Sequence, residues 1–286
     1  MADQTLYKNL DRKSLTINSL KLLDNGYPIP TWIDVNTGEY CNRKCVFCPR
    51  VNPETYPNQK IWFTNTTARN LSDQLDNIGF KGIVCFCGTG EPLFNPEINE
   101  IVKTLSNHKT ELVTNGDLLN KKTITQVYDS GLDHMVVSLY DGPHQIEKFE
   151  KLFKSADIDS SKYSLRNRWF DEEEEYGLML TNRAGVIKQG KAVDITKGCN
   201  YTFYSLQLDW NGDILLCCQD WSKNFKFGNI LFNDLMEIWS GDMLNKYRKV
   251  HLDSRKIAPC TSCNATGTVL GNEHRKHFEK LLNNKI

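Results

Sequence analysis

The ten cysteines of this 286-residue chain fall in groups, at 41, 45 and 48, at 85 and 87, at 199, at 217 and 218, and at 260 and 263. The first group, Cys41-Asn42-Arg43-Lys44-Cys45-Val46-Phe47-Cys48, sets three thiols at CxxxCxxC spacing just after an extended run, Thr31-Trp32-Ile33-Asp34-Val35. Three thiolates in one short loop can converge on a cubane iron–sulfur cluster. Such a cluster has four irons, so three protein ligands leave one iron open, and an open iron means chemistry rather than electron storage alone. The competing readings are a disulfide pair and a zinc site. Zinc favours CxxC pairs that together supply four ligands, and no fourth ligand follows Cys48 closely.

Such a loop needs a scaffold, and the flanking pattern describes one. In the lead-in, residues 15–23 read as a small helix ending at Asn25-Gly26. Extended runs at 31–35, 82–87, 111–113, 135–139, 163–166 and 176–180 then alternate with helical ones at 66–77, 98–105, 124–128 and 145–153. Leu71, Leu75 and Ile78 mark the apolar face of the first of these helices. Strands and helices alternating at this pitch predict a parallel sheet, closed or half-closed by right-handed crossovers. A full eightfold barrel takes about 250 residues, so a span of about 160 fits a partial barrel of about six units. Cys85 and Cys87 share a strand face by period two and read as core. The acidic run at 171–175 reads as a solvated loop. Asn211-Gly212, between alternating residues, signals a β-hairpin, and Phe232, Leu235, Met236, Trp239, Met243 and Tyr247 form a helical stripe that reads as core packing.

Composition narrows the classes. Lys and Arg total 35 and Asp and Glu total 35, a net charge of zero, so no basic field is available for nucleic acid or an anionic membrane. The chain has no run of 18 apolar residues and opens on the polar Met1-Ala2-Asp3-Gln4-Thr5. The expectation is a cytoplasmic protein without membrane or nucleic-acid partners, whose cysteines ligate metal in a reducing compartment.

Three further motifs follow the cysteine loop: Gly88-Thr89-Gly90-Glu91-Pro92, Thr114-Asn115-Gly116 and Val136-Val137-Ser138-Leu139-Tyr140. With Phe47 before the last cysteine of CxxxCxxC, the pattern resembles the radical S-adenosylmethionine (SAM) superfamily over roughly residues 30–190. The resemblance implies a partial (β/α)6 barrel. It implies a 4Fe–4S cluster on Cys41, Cys45 and Cys48, whose open iron chelates SAM. Reductive cleavage of SAM would yield a 5′-deoxyadenosyl radical that takes a hydrogen atom from substrate. Phe47, Gly88, Thr89, Gly90, Glu91, Pro92, Asn115, Ser138 and Arg166 fall at the positions of SAM contacts, with Glu91 offered to the methionine amino group. Thr89 departs from the more usual Gly-Gly-Glu-Pro. Plainer readings stand beside these: a strand-to-loop turn for residues 88–92, a backbone-satisfied serine for Ser138, solvated arginines for Arg166 and Arg168. His144, soon after the fourth strand, is a candidate base or a surface histidine. Arg183, at the end of the sixth expected strand, opens toward the site in a barrel of this polarity.

A hairpin, a helix and then Cys260-Thr261-Ser262-Cys263 resemble the SPASM/Twitch auxiliary-cluster domain of radical SAM enzymes. The implied ligands are Cys199, Cys217, Cys260 and Cys263, which close a second 4Fe–4S cluster; a four-thiolate zinc site would use the same residues. Cys218 replaces Cys217 as ligand, packs in the core, or faces the active site as a hydrogen donor. The implied organisation is a lead-in at 1–30, a radical SAM partial barrel at 31–190 and a small α+β auxiliary-cluster domain with a β-hairpin at 191–286. Enzymes of this build include aminocyclitol dehydrogenases of the butirosin type. By that likeness the chain oxidises a hydroxyl carbon of a small sugar-like or cyclitol substrate, with an external donor such as flavodoxin or ferredoxin. The alternatives are a peptide-modifying maturase, for which the short lead-in leaves little room for a recognition domain, a radical epimerase using Cys218, and an iron–sulfur electron carrier.

Overall fold

The computed structural model describes residues 2–169, 181–188 and 194–283. Strands β1 (Trp32–Asn36), β2 (Ile83–Cys87), β3 (Lys109–Thr114), β4 (His134–Leu139) and β5 (Tyr163–Asn167) pair in parallel in sequence order. Helices α2 (Asn65–Asn77), α3 (Ile98–Thr104), α4 (Lys121–Asp129) and α5 (His144–Ser155) make the crossovers. Thr64 and Asn120 start α2 and α4 by accepting Thr67 N–H and Thr123 N–H on their side chains, which satisfies otherwise orphaned donors of the first turn.

Period two divides the strand residues between two environments. Ile33, Val35, Val84, Phe86, Met135 and Val137 face the helices and form the main core with Leu71, Leu75 and Phe149. The alternate residues Asp34, Asn36, Cys85, Cys87, Ser138 and Arg166 line a cavity on the inner face. A register slip of one residue would exchange the two sets, so burying the apolar face also fixes which polar groups meet in the cavity.

The lead-in differs from expectation. Helix α1 spans Ala2–Ile17, ahead of the segment read as helical. Leu15 is 79% exposed, and Leu22 bridges back to Pro28 across a turn. Polar contacts place α1: Arg12 and Lys13 both reach the fully buried Glu111 carboxylate on β3. A charge-anchored helix leaves little apolar periodicity to read. The strand expected at 176–180, the acidic run at 171–175 and the expected boundary at 190/191 lie outside the described residues.

The C-terminal part begins with α6 (Tyr201–Tyr204) and continues the same sheet. Strand β6 (Ser205–Leu208) pairs in parallel with β1, Trp32 opposite Ser205 through Val35 opposite Leu208. Strands β7 (Asp213–Leu215) and β8 (Lys226–Asn229) follow antiparallel, giving the order β5-β4-β3-β2-β1-β6-β7-β8. The expected hairpin is present, with Gly212 at φ +90° in its turn. The expected single stripe is not. Gly241 separates α7 (Leu235–Ser240) from α8 (Asp242–His251). Leu235, Trp239 and Tyr247 are buried, whereas Phe232 and Met243 are 84% and 61% exposed. Helix α9 (Asn272–Asn283) closes the C-terminal part. The fully buried Arg248 lies between the Trp239 and Phe278 rings and donates to Thr202 O and Trp239 O.

Candidate active site

The cavity, of about 290 Å³, opens at the C-terminal ends of β1–β5 and is lined by Cys41, Cys45 and Cys48 on one side and Cys217 and Cys218 on another. Parallel α/β folds bind ligands at this end.

The CxxxCxxC loop is fastened across the top of the sheet. Arg43 donates to both oxygens of Asp117, after β3, at 2.5 and 2.6 Å. It also donates to both oxygens of Asp141, after β4, at 2.7 Å each. Phe47 stacks on Tyr140, also after β4, with ring centroids 5.8 Å apart. Burial pushes the Cys45 thiol up to about 11, with Cys48 and Cys41 as charge neighbours. Such a set ionises readily only when a metal takes the charge.

The glycines of residues 88–92 are fixed by the protein's own packing. Gly88 has φ +112°, and a Cβ there would lie 2.4 Å from Asn36 Oδ1. A Cβ on Gly90 would lie 2.4 Å from Gly38 O and 2.8 Å from Tyr40 O. Thr89 donates its hydroxyl to Glu39 and its N–H to Asn36. Glu91, only 3% exposed, accepts Thr114 Oγ1–H at 2.6 Å and Leu93 N–H at 3.2 Å on one oxygen, and Asn115 N–H at 2.8 Å on the other. Burial outweighs those donors and raises its carboxyl to about 7. Pro92 starts a short 3-10 turn beneath the motif and does not line the cavity. Asn115 donates to Asn42 at 2.8 Å and lies 3.8 Å from Cys41 Sγ, tying the β3 end to the cysteine loop. Ser138 accepts from Arg166 Nη2 at 2.8 Å.

The second cysteine set lies behind the wall at Cys217, its one member that lines the cavity. Cys199, Cys260 and Cys263 are buried and Cys217 is half-buried. Cys217 has Cys199 and Cys263 as charge neighbours, and Cys260 has Cys199 and Cys263. Gly267 passes so close to Cys199 that a Cβ would lie 2.3 Å from its sulfur. The adjacent Cys218 has Asp34 and Arg183 among its charge neighbours and lines the cavity.

Zinc bound by thiolates at about 2.3 Å draws the sulfurs to about 4 Å from one another. Among the described residues, the only three cysteine, histidine or carboxylate ligand atoms all within 4.8 Å of one another belong to Asp34, Cys85 and Cys87. Each cysteine set offers thiols alone, the donor chemistry of a cubane iron–sulfur cluster.

Two outcomes differ from the sequence reading and one refines it. His144 sits exposed at the start of α5 and does not line the cavity. Cys85 belongs to a small buried core cluster that Cys87 packs against, as read, and both also line the cavity. Three groups went unread: Asp34, Gln207 and a charge cluster in which Lys223 pairs with Glu39 and with Asp209 at 2.7 Å while Glu39 also pairs with Arg50. The one available signal was Asp34 itself, a lone carboxylate between the apolar Ile33 and Val35.

Two family models match the chain, "Radical SAM superfamily" over residues 35–166 and "Iron-sulfur cluster-binding domain" (SPASM) over residues 199–264. The chain carries a radical SAM domain followed by a SPASM iron–sulfur cluster-binding domain. Among curated proteins it is similar to S-adenosyl-L-methionine-dependent 2-deoxy-scyllo-inosamine dehydrogenase of Niallia circulans, 24% identical over 81% of this chain and 92% of that protein. Its fold matches BtrN in complex with AdoMet and 2-DOIA at a TM-score of 0.72 and 21% identity, covering 86% of this chain and 97% of that one. It also matches Streptococcus suis SuiB bound to its precursor peptide SuiA at a TM-score of 0.52 and 16% identity, covering 93% of this chain and 74% of that one. Radical SAM and SPASM domains carry SAM and 4Fe–4S clusters. Cys41, Cys45 and Cys48 fall within the first matched span, and Cys199, Cys217, Cys260 and Cys263 within the second. No helix among the described residues is long and apolar enough to cross a membrane.

Proposed function

We propose that this radical SAM enzyme oxidises a hydroxyl-bearing carbon of a small cyclitol or sugar-like substrate. The observation that carries the reading is that one cavity is lined by Cys41, Cys45 and Cys48 and also by Cys217 of the second cysteine set. When bound, SAM and its cluster supply the hydrogen-abstracting radical and the auxiliary cluster supplies an electron sink. A four-thiol auxiliary set leaves no open iron for substrate. The curated relative named for 2-deoxy-scyllo-inosamine supports the substrate class.

In this reading Glu91, Asn115, Ser138 and Arg166 hold SAM, and Phe47 and Tyr140 wall its pocket. Arg183, its guanidinium 5.5 Å above the Trp221 ring, orients substrate opposite them. Among the described residues, the Nε atoms of Arg166 and Arg183 are buried without a hydrogen-bond partner, and both residues line the cavity. Unpaired buried donors are costly unless a ligand completes them. An external flavodoxin- or ferredoxin-like donor reduces the first cluster, and the cytoplasm supplies the reducing setting.

The test is turnover of 2-deoxy-scyllo-inosamine in deuterated water, with the product weighed. Oxidation gives one ketone per 5′-deoxyadenosine, two mass units lighter than substrate apart from exchange beside the new carbonyl. A product one unit heavier, lost in Cys218→Ala, would replace dehydrogenation with epimerisation.

A further inference from the structure

The inner end of the cavity carries polar groups that no SAM-binding motif accounts for. Asp34 and Gln207 stand directly opposite one another on the paired strands β1 and β6, and both line the cavity. Asp34 Oδ1 is fully engaged, accepting Trp32 Nε1–H at 2.8 Å and Cys87 Sγ–H at 3.3 Å. Among the described residues, Asp34 Oδ2 accepts nothing. Gln207 is 6% exposed, and among the described residues its buried Oε1 has no partner. Lys13, reaching in from α1, completes this end of the cavity with its ammonium over the Trp32 ring.

Gln207 Oε1, buried and unfilled among the described residues, is expensive as it stands, and the half-buried Asp34 offers an open carboxylate oxygen beside it. Gln207 Oε1 forgoes the hydrogen bonds that water would give it, and buried polar atoms are nearly always paired. A ligand donor group is the natural complement. Trp32 and Cys87 hold the Asp34 carboxylate so that its free oxygen is presented at a fixed place. Register on neighbouring strands puts Gln207 beside it, within the span of adjacent substituents on a six-membered ring.

We propose that Asp34 and Gln207 form the substrate-anchoring subsite, taking donor groups, hydroxyl or ammonium, on neighbouring carbons of a cyclitol ring. The inference rests on the substrate class proposed above. It adds that the ring is held from the barrel side, by β1 and β6, and not only by residues near the auxiliary cysteines. The choice of side decides which ring carbon faces the SAM-binding loop, so the subsite sets regiochemistry as well as affinity.

The test measures equilibrium binding to the cluster-reconstituted, SAM-loaded enzyme under oxidising conditions, where no turnover occurs. The probes are 2-deoxy-scyllo-inosamine, which carries an amine, and scyllo-inositol, which carries only hydroxyls. Asp34→Asn keeps the shape and the Trp32 hydrogen bond but removes the charge; Gln207→Leu removes the acceptor. Loss of a charged and of a neutral hydrogen bond predicts affinities weaker by about tenfold and by about fivefold respectively. SAM affinity and iron content should stay at wild-type levels. Equal weakening for both probes identifies a hydroxyl at Asp34, and weakening confined to the amine identifies an ammonium. If Asp34→Asn does not fold, Gln207→Leu alone decides. Unchanged affinity in a folded variant, with the wild type binding either probe, would overturn the subsite and leave the cyclitol reading intact. A wild type that binds neither probe would overturn both.

Discussion

Glu91 shows how one side chain serves the fold and the proposed cofactor site together. Its carboxylate accepts three hydrogen bonds that hold the β3 end at Thr114 and Asn115. Burial nevertheless raises its pKa from 4.5 to about 7. A raised carboxyl means that the SAM-free fold binds the proton more tightly than the unfolded chain does. The stability this confers is complete below pH 4.5 and is lost as pH rises through about 7. A cation beside Glu91 reverses the preference, because it pairs only with the ionised form. SAM affinity should therefore strengthen by about tenfold from pH 6 to pH 8, measured by calorimetry on the oxidised enzyme. Glu91→Gln should bind SAM more weakly and lose this dependence; a Glu91→Gln profile parallel to wild type would remove Glu91 from the cation's site. At this scale the thiols and the Gly-Thr-Gly-Glu segment were legible because their chemistry is unusual at that spacing. Asp34 and Gln207 were not, since their meaning depends on β1 lying against β6, a pairing of residues far apart in the chain.

The cysteine loop is an element without secondary structure of its own, and Arg43 substitutes for it. Its planar guanidinium joins two aspartates that end neighbouring strands, a geometry lysine cannot reproduce. Arg43→Lys and Arg43→Ala should both shed iron from the SAM-side cluster faster than wild type on dilution into chelator, while the auxiliary cluster persists. Changing Cys41, Cys45 and Cys48 all to Ala should lower iron from about eight per chain to about four and abolish 5′-deoxyadenosine formation; retained formation would dismiss the site. Gly90→Ala forces a Cβ against two backbone carbonyls, so it should lower the melting temperature by several degrees. The alternating strands and helices were readable because burial imposes their periods. Helix α1 was not, because ion pairs to Glu111 hold it, and the stripe after residue 230 concealed the break at Gly241.

At the scale of the molecule, the feature with the widest reach is the pairing of β6 with β1. Two family models divide the chain, yet the sheet does not, and Leu206, Leu208, Phe203 and Trp239 belong to the same apolar core as Ile33 and Val35. Lys223 spans the junction by pairing with Glu39 from the β1 side and with Asp209 after β6. A chain cut after residue 195 should consequently be insoluble or lack fixed tertiary packing, as near-ultraviolet circular dichroism would show. The intact protein should have no intermediate in which one half has melted. Denaturant should bleach both clusters and shift tryptophan emission along one coincident curve, so that the two halves, separable as sequence families, form a single cooperative unit. Exchanging C-terminal parts between relatives would then succeed only when the recipient's β1 edge travels with the graft.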